Sequence, residues 1–345
     1  MKRTHTMRAL LSAMLLAGSG MIAQTDAPEI KFDSVPNALQ LPPGIYLGEV
    51  GGVATNSRGD LFVYTRTGHP TITIGTARPF AHGGSRLFQF DRSGKFVREI
   101  GKDSYGFMVA SQVRVDSGDN IWVVDEMTNM VMKFDPQGRV AMLLGRKAEN
   151  VNVPAGRGRG GTGAGQPTDL FDRPADVAWD AAGNIFVADG LGNARVAKFD
   201  KSGKFVKSWG KKGNATGEFA DVRGIAVDAQ GNVYAADGGN RRVQVFDNDG
   251  NFKTAFNNLG NAQALCMTKG PNPVLYVSNS NPPNDIDRDG EIYKMRLDGT
   301  MIGKFGRAGK LPKEFGTVNA IDCRAENTLY VGEIGNLRVQ KLVLH

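Results

Sequence analysis

The chain has 345 residues, 41% of them hydrophobic, and a formal net charge of +7. This length allows two domains or one large all-β domain. The charge is a mild excess, and the densest basic stretch, residues 201–212, places its lysines on a turn and the strand after it, as a solvated edge strand does. We therefore expect no nucleic-acid partner.

The first 23 residues have the pattern of a secretory signal. Three basic residues precede an apolar run over residues 9–17, and small residues continue to Ala23. The run is too short to cross a membrane, and no later stretch approaches the roughly 18 apolar residues that a span requires. We expect an exported protein, periplasmic or secreted, with no membrane span.

The stretches that begin at Asp180 and Asp228 repeat one pattern. Each has an alternating strand after an Asp/Gly/Asn turn, then a second hairpin, F-D-x-x-G-x-F, in which Gly250 stands where a turn needs positive φ. One copy is a meander of about four short strands. Four degenerate copies elsewhere bring the total to six, and all six share an aromatic second-strand position: Phe62, Trp122, Phe186, Tyr234, Tyr276 and Tyr330. This spacing predicts an all-β fold, a six-bladed β-propeller of four-stranded antiparallel blades.

The sixth copy ends at His345 just after a third strand, so it lacks an outer strand. The segment Gly44–Val50 has strand composition and no partner in its own repeat. We expect it to complete the last blade, which would close the ring and remove an open edge. The expected organisation is a signal peptide (1–23), an N-terminal extension (24–43) and the propeller (44–345).

A glycine-rich segment, Asn150–Asp169, joins the second copy to the third. It lacks the G-K-[ST] ending of a phosphate-binding loop, so we interpret it as a flexible connector. Cys266 and Cys323 are the two cysteines, and neither lies in a C-x-x-C pattern. Two interpretations fit them equally: a disulfide bond, or two separate buried cysteines that act as small apolar residues.

The pattern D-x-x-G-x-Φ-Φ-V-x-D-x-x-N-x-R-V resembles that of NHL repeats. The third and fourth copies match it at all three polar positions of the loop between the second and third strands. These positions are Asp189, Asn193 and Arg195 in the third copy and Asp237, Asn240 and Arg242 in the fourth. The resemblance implies a structural role for them.

Over residues 41–345 the chain also resembles the peptidyl-α-hydroxyglycine α-amidating lyases, in "LPPGIYLGEVGGVATNSRGDLFVYTRTGHP" and in "FDRPADVAWDAAGNIFVADGLGNARV". The resemblance implies a six-bladed propeller with a zinc ion in its channel, held by three histidines. It also implies cleavage of a hydroxyglycine-extended peptide to an amide and glyoxylate. Arg66, in "VYTRTGHP", aligns with a catalytic arginine of that family.

The metal ligands of that family have no counterparts in this chain. Where the family has its histidines, ahead of the second, fourth and sixth inner strands, this chain has Ala110-Ser111, Val222-Arg223 and Val318-Asn319. The family's active-site tyrosine is replaced by Leu191, and an expected arginine by Gly238.

The histidine count leads to the same conclusion. The chain has only His5, His69, His82 and His345, of which the first would leave with the signal and the next two share one loop. A three-histidine site with one ligand per inner strand cannot be built from these, so we do not expect zinc.

The stretch "DIDRDGEI" places carboxylates at Asp285, Asp287 and Asp289, with a glycine sixth, as in the first half of a calcium-binding loop. Its twelfth position is Arg296, where such a loop needs a bidentate Glu. A plain polar turn accounts for the same residues. Calcium is therefore one interpretation and a turn the other, and no further cofactor is expected.

The starts of the six inner strands should line one mouth of the channel. The polar candidates there are Ser111, Asp176, Arg223, Gln263 and Asn319. A small anion or a peptide carboxylate near Arg223 and Arg66 fits this chemistry, and a water-filled pore lining is the alternative.

The chain contains no G-x-S-x-G or H-E-x-x-H motif. We therefore predict a binding or scaffold module for a protein, peptide or small ligand at one face of the channel. The alternative is a divergent lyase-like enzyme that keeps Arg66 and has an altered or lost metal site. A calcium-dependent module built on Asp285 is a third interpretation.

Overall fold

The computed structural model describes residues 27–345 except 68–71, 75–77, 81–83, 146–169, 283–284, 286 and 326. The predicted signal peptide and the glycine-rich connector lie outside the described residues. Six four-stranded antiparallel sheets form the blades, and their inner strands contact one another in a closed cycle. The prediction of a six-bladed, all-β propeller is confirmed.

Each blade is named here by its position along the chain, and its strands are given from the inner to the outer edge. Blade 6 ends on β1 (Phe32–Val35), which comes first in the chain. Blade 1 contains β2 (Glu49–Thr55), β3 (Leu61–Arg66), β6 (Ser85–Phe90) and β7 (Phe96–Ile100), and a two-stranded hairpin, β4 (Ile72–Ile74) and β5 (Arg78–Phe80), leaves it. Blade 2 contains β8 (Ala110–Val115), β9 (Ile121–Asp125), β10 (Met130–Phe134) and β11 (Val140–Gly145), and blade 3 contains β12 (Asp176–Trp179), β13 (Ile185–Asp189), β14 (Arg195–Phe199) and β15 (Phe205–Trp209).

The second half of the chain repeats the arrangement. Blade 4 contains β16 (Ile225–Val227), β17 (Val233–Asp237), β18 (Arg242–Phe246) and β19 (Phe252–Phe256), with a short 3-10 turn at Gly238–Asn240. Blade 5 contains β20 (Ala262–Met267), β21 (Val274–Asn279), β22 (Glu291–Arg296) and β23 (Met301–Phe305), followed by the short parallel pair β24 (Arg307–Ala308) and β25 (Glu314–Phe315). Blade 6 contains β26 (Val318–Ala325), β27 (Thr328–Glu333) and β28 (Arg338–Leu344) before β1.

The D-x-x-G turns of the repeat set the outer hairpins. In blade 4, Asp247 Oδ1 accepts hydrogen bonds from the backbone N–H groups of Asp249 (2.9 Å) and Asn251 (2.8 Å). Gly250 has φ +85°, a conformation that costs a glycine little. The repeated motif therefore builds a self-contained turn.

Ring closure is confirmed, but the strand that performs it is not the predicted one. β1 pairs antiparallel with β28, from Phe32 opposite Leu344 to Val35 opposite Lys341. Gly44–Val50 does not pair with blade 6, because its last two residues begin the inner strand of blade 1. The closing strand lies within the range predicted as an extension, 24–43. Residues just before it pair with the outer strand of blade 5, where Ile30 N donates to Lys304 O at 2.8 Å.

Neighbouring blades are joined by buried apolar side chains. Between blades 3 and 4, Phe219 packs against Phe246 with ring centroids 5.8 Å apart, and Trp209 lies 6.2 Å from Phe186 and 6.0 Å from Phe246. The three phenylalanines are almost fully buried. Burial of such a side chain stabilises a fold by about 1.5–3 kcal/mol, so each blade depends on its neighbours.

The NHL-type polar residues hold a loop in each of the two matching blades. In blade 4, the carboxylate of Asp237 accepts hydrogen bonds from Asn240 Nδ2, Arg242 Nε (2.8 Å) and the backbone N–H of Ala220 (2.9 Å). Burial raises the pKa of Asp237, and these donors oppose that shift. In blade 3, Asp189 likewise accepts from the side chains of the matching Asn and Arg, so these residues hold the loop in both blades, as the resemblance implied.

Cys266 and Cys323 form a disulfide, so the structure selects this alternative from the two left open by the sequence. The bond joins β20 to β26, the inner strands of blades 5 and 6. Within the described ranges, no helix has the length and apolar character needed to cross a membrane.

Candidate functional site

The channel has two ends with different chemistry. We call the end at which the six inner strands begin the upper mouth, and the end at which they finish the lower mouth. The inner strands are β2, β8, β12, β16, β20 and β26. All five polar candidates predicted from the sequence lie at or near the upper mouth, and so does Arg66 at the end of β3.

Arg66 is held by groups of the protein itself. Its Nε donates to Ala110 O at 2.9 Å, and its NH1 donates to Glu49 Oε2 at 2.9 Å. Its NH2 lies 3.6 Å from Glu126 Oε2. Two carboxylates therefore neutralise the guanidinium. Arg223 lies on blade 4, opposite blade 1 in a ring of six, so the structure does not bring it beside Arg66.

Two of the predicted channel residues connect blades to one another. Asn319 Nδ2 donates to Gly51 O and to Ser111 O, at 2.6 and 2.9 Å, which links blade 6 to blades 1 and 2. Ser111 Oγ donates to Ala175 O at 3.0 Å, which links blade 2 to blade 3. Backbone carbonyl groups satisfy both side chains, so their role is to connect the blades.

Arg114 is a channel residue that the sequence analysis did not identify. Its side chain crosses the channel below Asn319 and Ser111. The side chain starts on β8 of blade 2 and makes a bidentate pair with Asp176 of blade 3, at 2.9 and 2.7 Å. It also donates to Leu265 O of blade 5 (2.9 Å) and to Ile321 O of blade 6 (3.2 Å). Blade 5 is opposite blade 2, so the guanidinium lies across the axis.

The Arg114 and Asp176 pair is buried and fully bonded. Asp176 is 0% exposed at its side chain and Arg114 is 13% exposed. Asp176 also accepts from the backbone N–H of Ile225 on blade 4, at 3.0 Å. Burial would lower the pKa of Arg114, but the charge and hydrogen bonds of Asp176 and the charge of Asp322 together outweigh burial and raise the pKa. Through these bonds the pair connects blades 2, 3, 4, 5 and 6 across the channel.

Polar groups over blades 4 and 5 differ because they retain unused hydrogen-bonding capacity. Arg223 Nε pairs with Asp221 Oδ2 at 2.9 Å, while its terminal nitrogens make no hydrogen bond within the described part of the chain. Gln263 is 7% exposed as a whole residue, and its side-chain amide makes no hydrogen bond to any described residue. The amide atoms reach solvent, since they are not among the fully buried polar atoms that lack a partner. They are therefore available to a ligand.

Arg223 and Gln263 are neighbours because Gly224 lets two inner strands approach closely. A Cβ at position 224 would lie 2.8 Å from Gln263 O and 3.0 Å from Leu265 N. The sector formed by Arg223 and Gln263 is the candidate binding site. It offers one cation and an amide, which is chemistry that suits a carboxylate.

The residues of the predicted calcium loop lie apart from this sector, on the loop between β21 and β22. Asp285 and Asp289 flank Arg288, with carboxylate oxygens 3.9 and 3.6 Å from its Nε. Asp289 also accepts from Asn279 Nδ2 at 3.2 Å. A local cation thus already faces two of the three carboxylates, and calcium binding stays a prediction.

The donor set at the upper mouth does not fit a zinc ion of the lyase type. The positions that align with the family's ligands carry Ser111, Arg223 and Asn319, a hydroxyl, a cation and an amide. His69 and His82 lie outside the described residues. Among the residues that the structure describes, no group of three or more His, Cys, Asp or Glu could hold a metal.

Comparisons with known proteins agree with this fold. A family model described as "6-bladed beta-propeller" matches residues 170–279. Rat peptidylglycine α-amidating monooxygenase is 27% identical over 226 residues, which is 60% of this chain and 22% of that protein, so the chain spans about a fifth of that relative. Peptidyl-α-hydroxyglycine α-amidating lyase 1 of Drosophila melanogaster is 27% identical over 286 residues, 73% of this chain and 47% of that protein.

The chain is also similar to an NHL-repeat protein in sequence and to a solved lyase structure in fold. Human NHL repeat-containing protein 3 is 26% identical over 278 residues, 75% of this chain and 72% of that protein. The crystal structure of virginiamycin B lyase from Staphylococcus aureus superposes with a TM-score of 0.57 at 11% identity, over 92% of this chain and all of that one, which shows a shared fold. This chain is therefore a six-bladed β-propeller homologous to peptidyl-α-hydroxyglycine α-amidating lyases and to NHL-repeat proteins.

Proposed function

We propose that this propeller is a binding module that takes a carboxylate-bearing ligand, a peptide or a small molecule, at Arg223 and Gln263 of the upper mouth. The observation that carries the proposal is that two neighbouring inner-strand starts present unused polar groups. The terminal nitrogens of Arg223 and the solvent-facing amide of Gln263 make no hydrogen bond within the described chain. A carboxylate accepts hydrogen bonds from both groups.

The rest of the upper mouth supports binding rather than lyase chemistry. Arg66, the one family-like catalytic position retained, is neutralised by Glu49 and Glu126. Ser111 and Asn319 are occupied with inter-blade ties. We also propose export, because the first 23 residues have the pattern of a signal and because a disulfide persists in oxidising compartments.

Binding is tested with a dansylated tripeptide that ends in glycine, in its free-acid form and as its C-terminal amide. We expect the acid to bind better than the amide. Arg223→Ala should weaken binding of the acid by roughly tenfold or more, because a hydrogen bond to a charged group is lost. Arg139→Ala, at an exposed hairpin of blade 2, is the matched control.

Equal binding of acid and amide, or an Arg223→Ala variant that binds like the wild type, would contradict the proposal. A divergent lyase remains the second candidate because the alignment retains Arg66. It is tested with a hydroxyglycine-extended peptide and measurement of glyoxylate. Glyoxylate release that is abolished in Arg66→Lys would support this second function and displace binding as the main role.

A further inference from the structure

The outer edges of the six blades differ in how they are protected. The outermost strand of a sheet presents backbone N–H and C=O groups that another strand can pair with, so proteins usually cover such an edge or place charges on it. The outermost strands of blades 1 to 5 are β7, β11, β15, β19 and β23, and that of blade 6 is β1. Within the described residues, one of these six edges is neither covered nor charged.

The N-terminal segment protects blades 5, 6 and 1. Lys304, on β23, donates its N–H to Pro28 O, and its C=O accepts from Ile30 N, both at 2.8 Å. β1 then completes blade 6, and Gln40 N donates to Gly94 O at 2.8 Å beside the start of β7. Blade 5 already has four strands, so this molecule shows directly that a complete blade accepts further chain along its outer edge.

Charged side chains protect the edges of blades 3 and 4. Lys207 lies on β15 and Lys253 lies on β19. Lysine is a common guard on an edge strand, because pairing with a second copy of the strand would bring ammonium groups together in one sheet. β7 combines both devices, since it also carries Arg98 and Glu99.

The edge of blade 2 is the exception. The sequence of β11, V-A-M-L-L-G, contains no charged residue, and no strand of the described chain pairs with its outer side. Val140 is 57% exposed and Leu143 is 52% exposed. An uncharged, apolar edge strand is a template for pairing with another chain. The sheet of blade 2 is therefore able to continue beyond β11.

The two exposed side chains lie on one face of this sheet. In the pairing of β10 with β11, Val140 is opposite Phe134 and Leu143 is opposite Met132. Phe134 and Met132 both pack into the core between blades 1 and 2, and residues directly opposite in an antiparallel pair face the same side. Ala141 is the extra residue of a β-bulge, which is why two residues three apart share a face. Val140 and Leu143 thus form one apolar stripe beside the open backbone groups.

We propose that β11 pairs antiparallel with β11 of a second copy of this chain, so that the two second blades form one continuous sheet. A two-fold dimer requires a surface that complements itself. β11 meets this condition because an uncharged strand faces its own copy without repulsion, whereas the lysines of β15 and β19 oppose such pairing. With Val140 of one copy opposite Leu143 of the other, both exposed side chains pack across the new strand pair.

The pairing also determines how the two copies are oriented. β11 runs from the lower end of the channel to the upper end, because the strands of blade 2 alternate in direction from β8 outward. An antiparallel pair reverses one copy, so the two upper mouths open in opposite directions. Arg223 and Gln263 lie on blades 4 and 5, away from β11, so the dimer leaves both proposed carboxylate sites open.

Sedimentation velocity of the full-length protein over a range of concentrations tests the proposal. We expect a monomer that converts to a dimer as the concentration rises. Leu143→Lys adds a charge to each copy of the edge and should weaken dimer formation by roughly tenfold or more. Val206→Lys is the matched control, because Val206 is 50% exposed on β15, an edge that already carries a lysine, and this variant should dimerise like the wild type. A monomer at every concentration, or equal dimer formation by the wild type and Leu143→Lys, would overturn the inference.

Hydrogen exchange followed by mass spectrometry identifies what covers the edge. If a second copy covers β11, exchange in Val140–Gly145 should slow as the protein concentration rises, whereas exchange in Phe252–Phe256 of β19 should not change. Exchange in Val140–Gly145 that is equally slow in a dilute monomer would show that another segment of the same chain covers the edge, which would contradict the proposal. Protection that depends on concentration at Phe252–Phe256 instead would place the contact on blade 4 and contradict it as well.

Discussion

Polar side chains of the channel fall into two groups with different duties. On the side of blades 6, 1, 2 and 3, Asn319, Ser111 and the Arg114 and Asp176 pair use their polar atoms to connect blades. On the side of blades 4 and 5, Arg223 and Gln263 keep polar atoms without partners in the described chain. The same ring of strand starts thus serves assembly in one sector and offers binding capacity in the other.

The largest expected effect comes from removing the segment that closes the ring. A protein that begins at residue 36 loses β1, and with it Phe32, whose ring lies 5.2 Å from Phe305. Lost apolar burial and strand hydrogen bonds should lower the free energy of unfolding by about 5 kcal/mol or more. Guanidinium unfolding checks this, with a protein that begins at residue 27 as the control. Equal midpoints for the two would show that the ring does not need this strand.

A smaller effect is expected at the buried pair. Asp176→Ala leaves Arg114 buried without its counter-charge, so the free energy of unfolding should fall by about 3–5 kcal/mol. The double variant Arg114→Met and Asp176→Leu should recover most of that loss, because no charge stays unpaired. Chemical denaturation measures both variants. If the single variant is as stable as the wild type, the pair does not hold the blades together.

The smallest expected effect on stability is in the sector formed by Arg223 and Gln263. Arg223→Ala and Gln263→Ala should each change the free energy of unfolding by less than about 0.5 kcal/mol, because neither completes a link between blades. Asn319→Ala is the matched comparison, because Asn319 does link blades. It should lower the free energy of unfolding by about 1–2 kcal/mol. The same denaturation experiments decide the matter. A loss in Arg223→Ala as large as that in Asn319→Ala would remove the distinction between the two sectors.

The fold could be predicted because its signals are local. The D-x-x-G turns, the alternating strands and the aromatic positions such as Tyr234 each occur within one copy, and they repeat at the right spacing. The closing strand was predicted in the wrong place because "FDSV" has only two apolar residues. An outer strand needs only one packed face, so its composition is weak, whereas Gly44–Val50 looks stronger by composition alone.

The site was harder to predict because its partners are distant in sequence. Alignment placed Arg66, but nothing local to it revealed Glu126, which lies 60 residues further along the chain. Arg114 resembles any polar residue of an alternating strand, "QVRVD", until the ring brings Asp176 and Leu265 to it. Which polar groups remain free is a property of the assembled ring, and a single repeat does not contain it.

The covalent bond between Cys266 and Cys323 determines where the ring can come apart first. Blade 6 cannot leave blade 5 at the inner edge while that bond is intact, whereas β1 is attached to β28 by hydrogen bonds and packing alone. We therefore expect the outer rim of blade 6 to open before its inner edge, so that reduction of the disulfide should change the order in which the two edges separate.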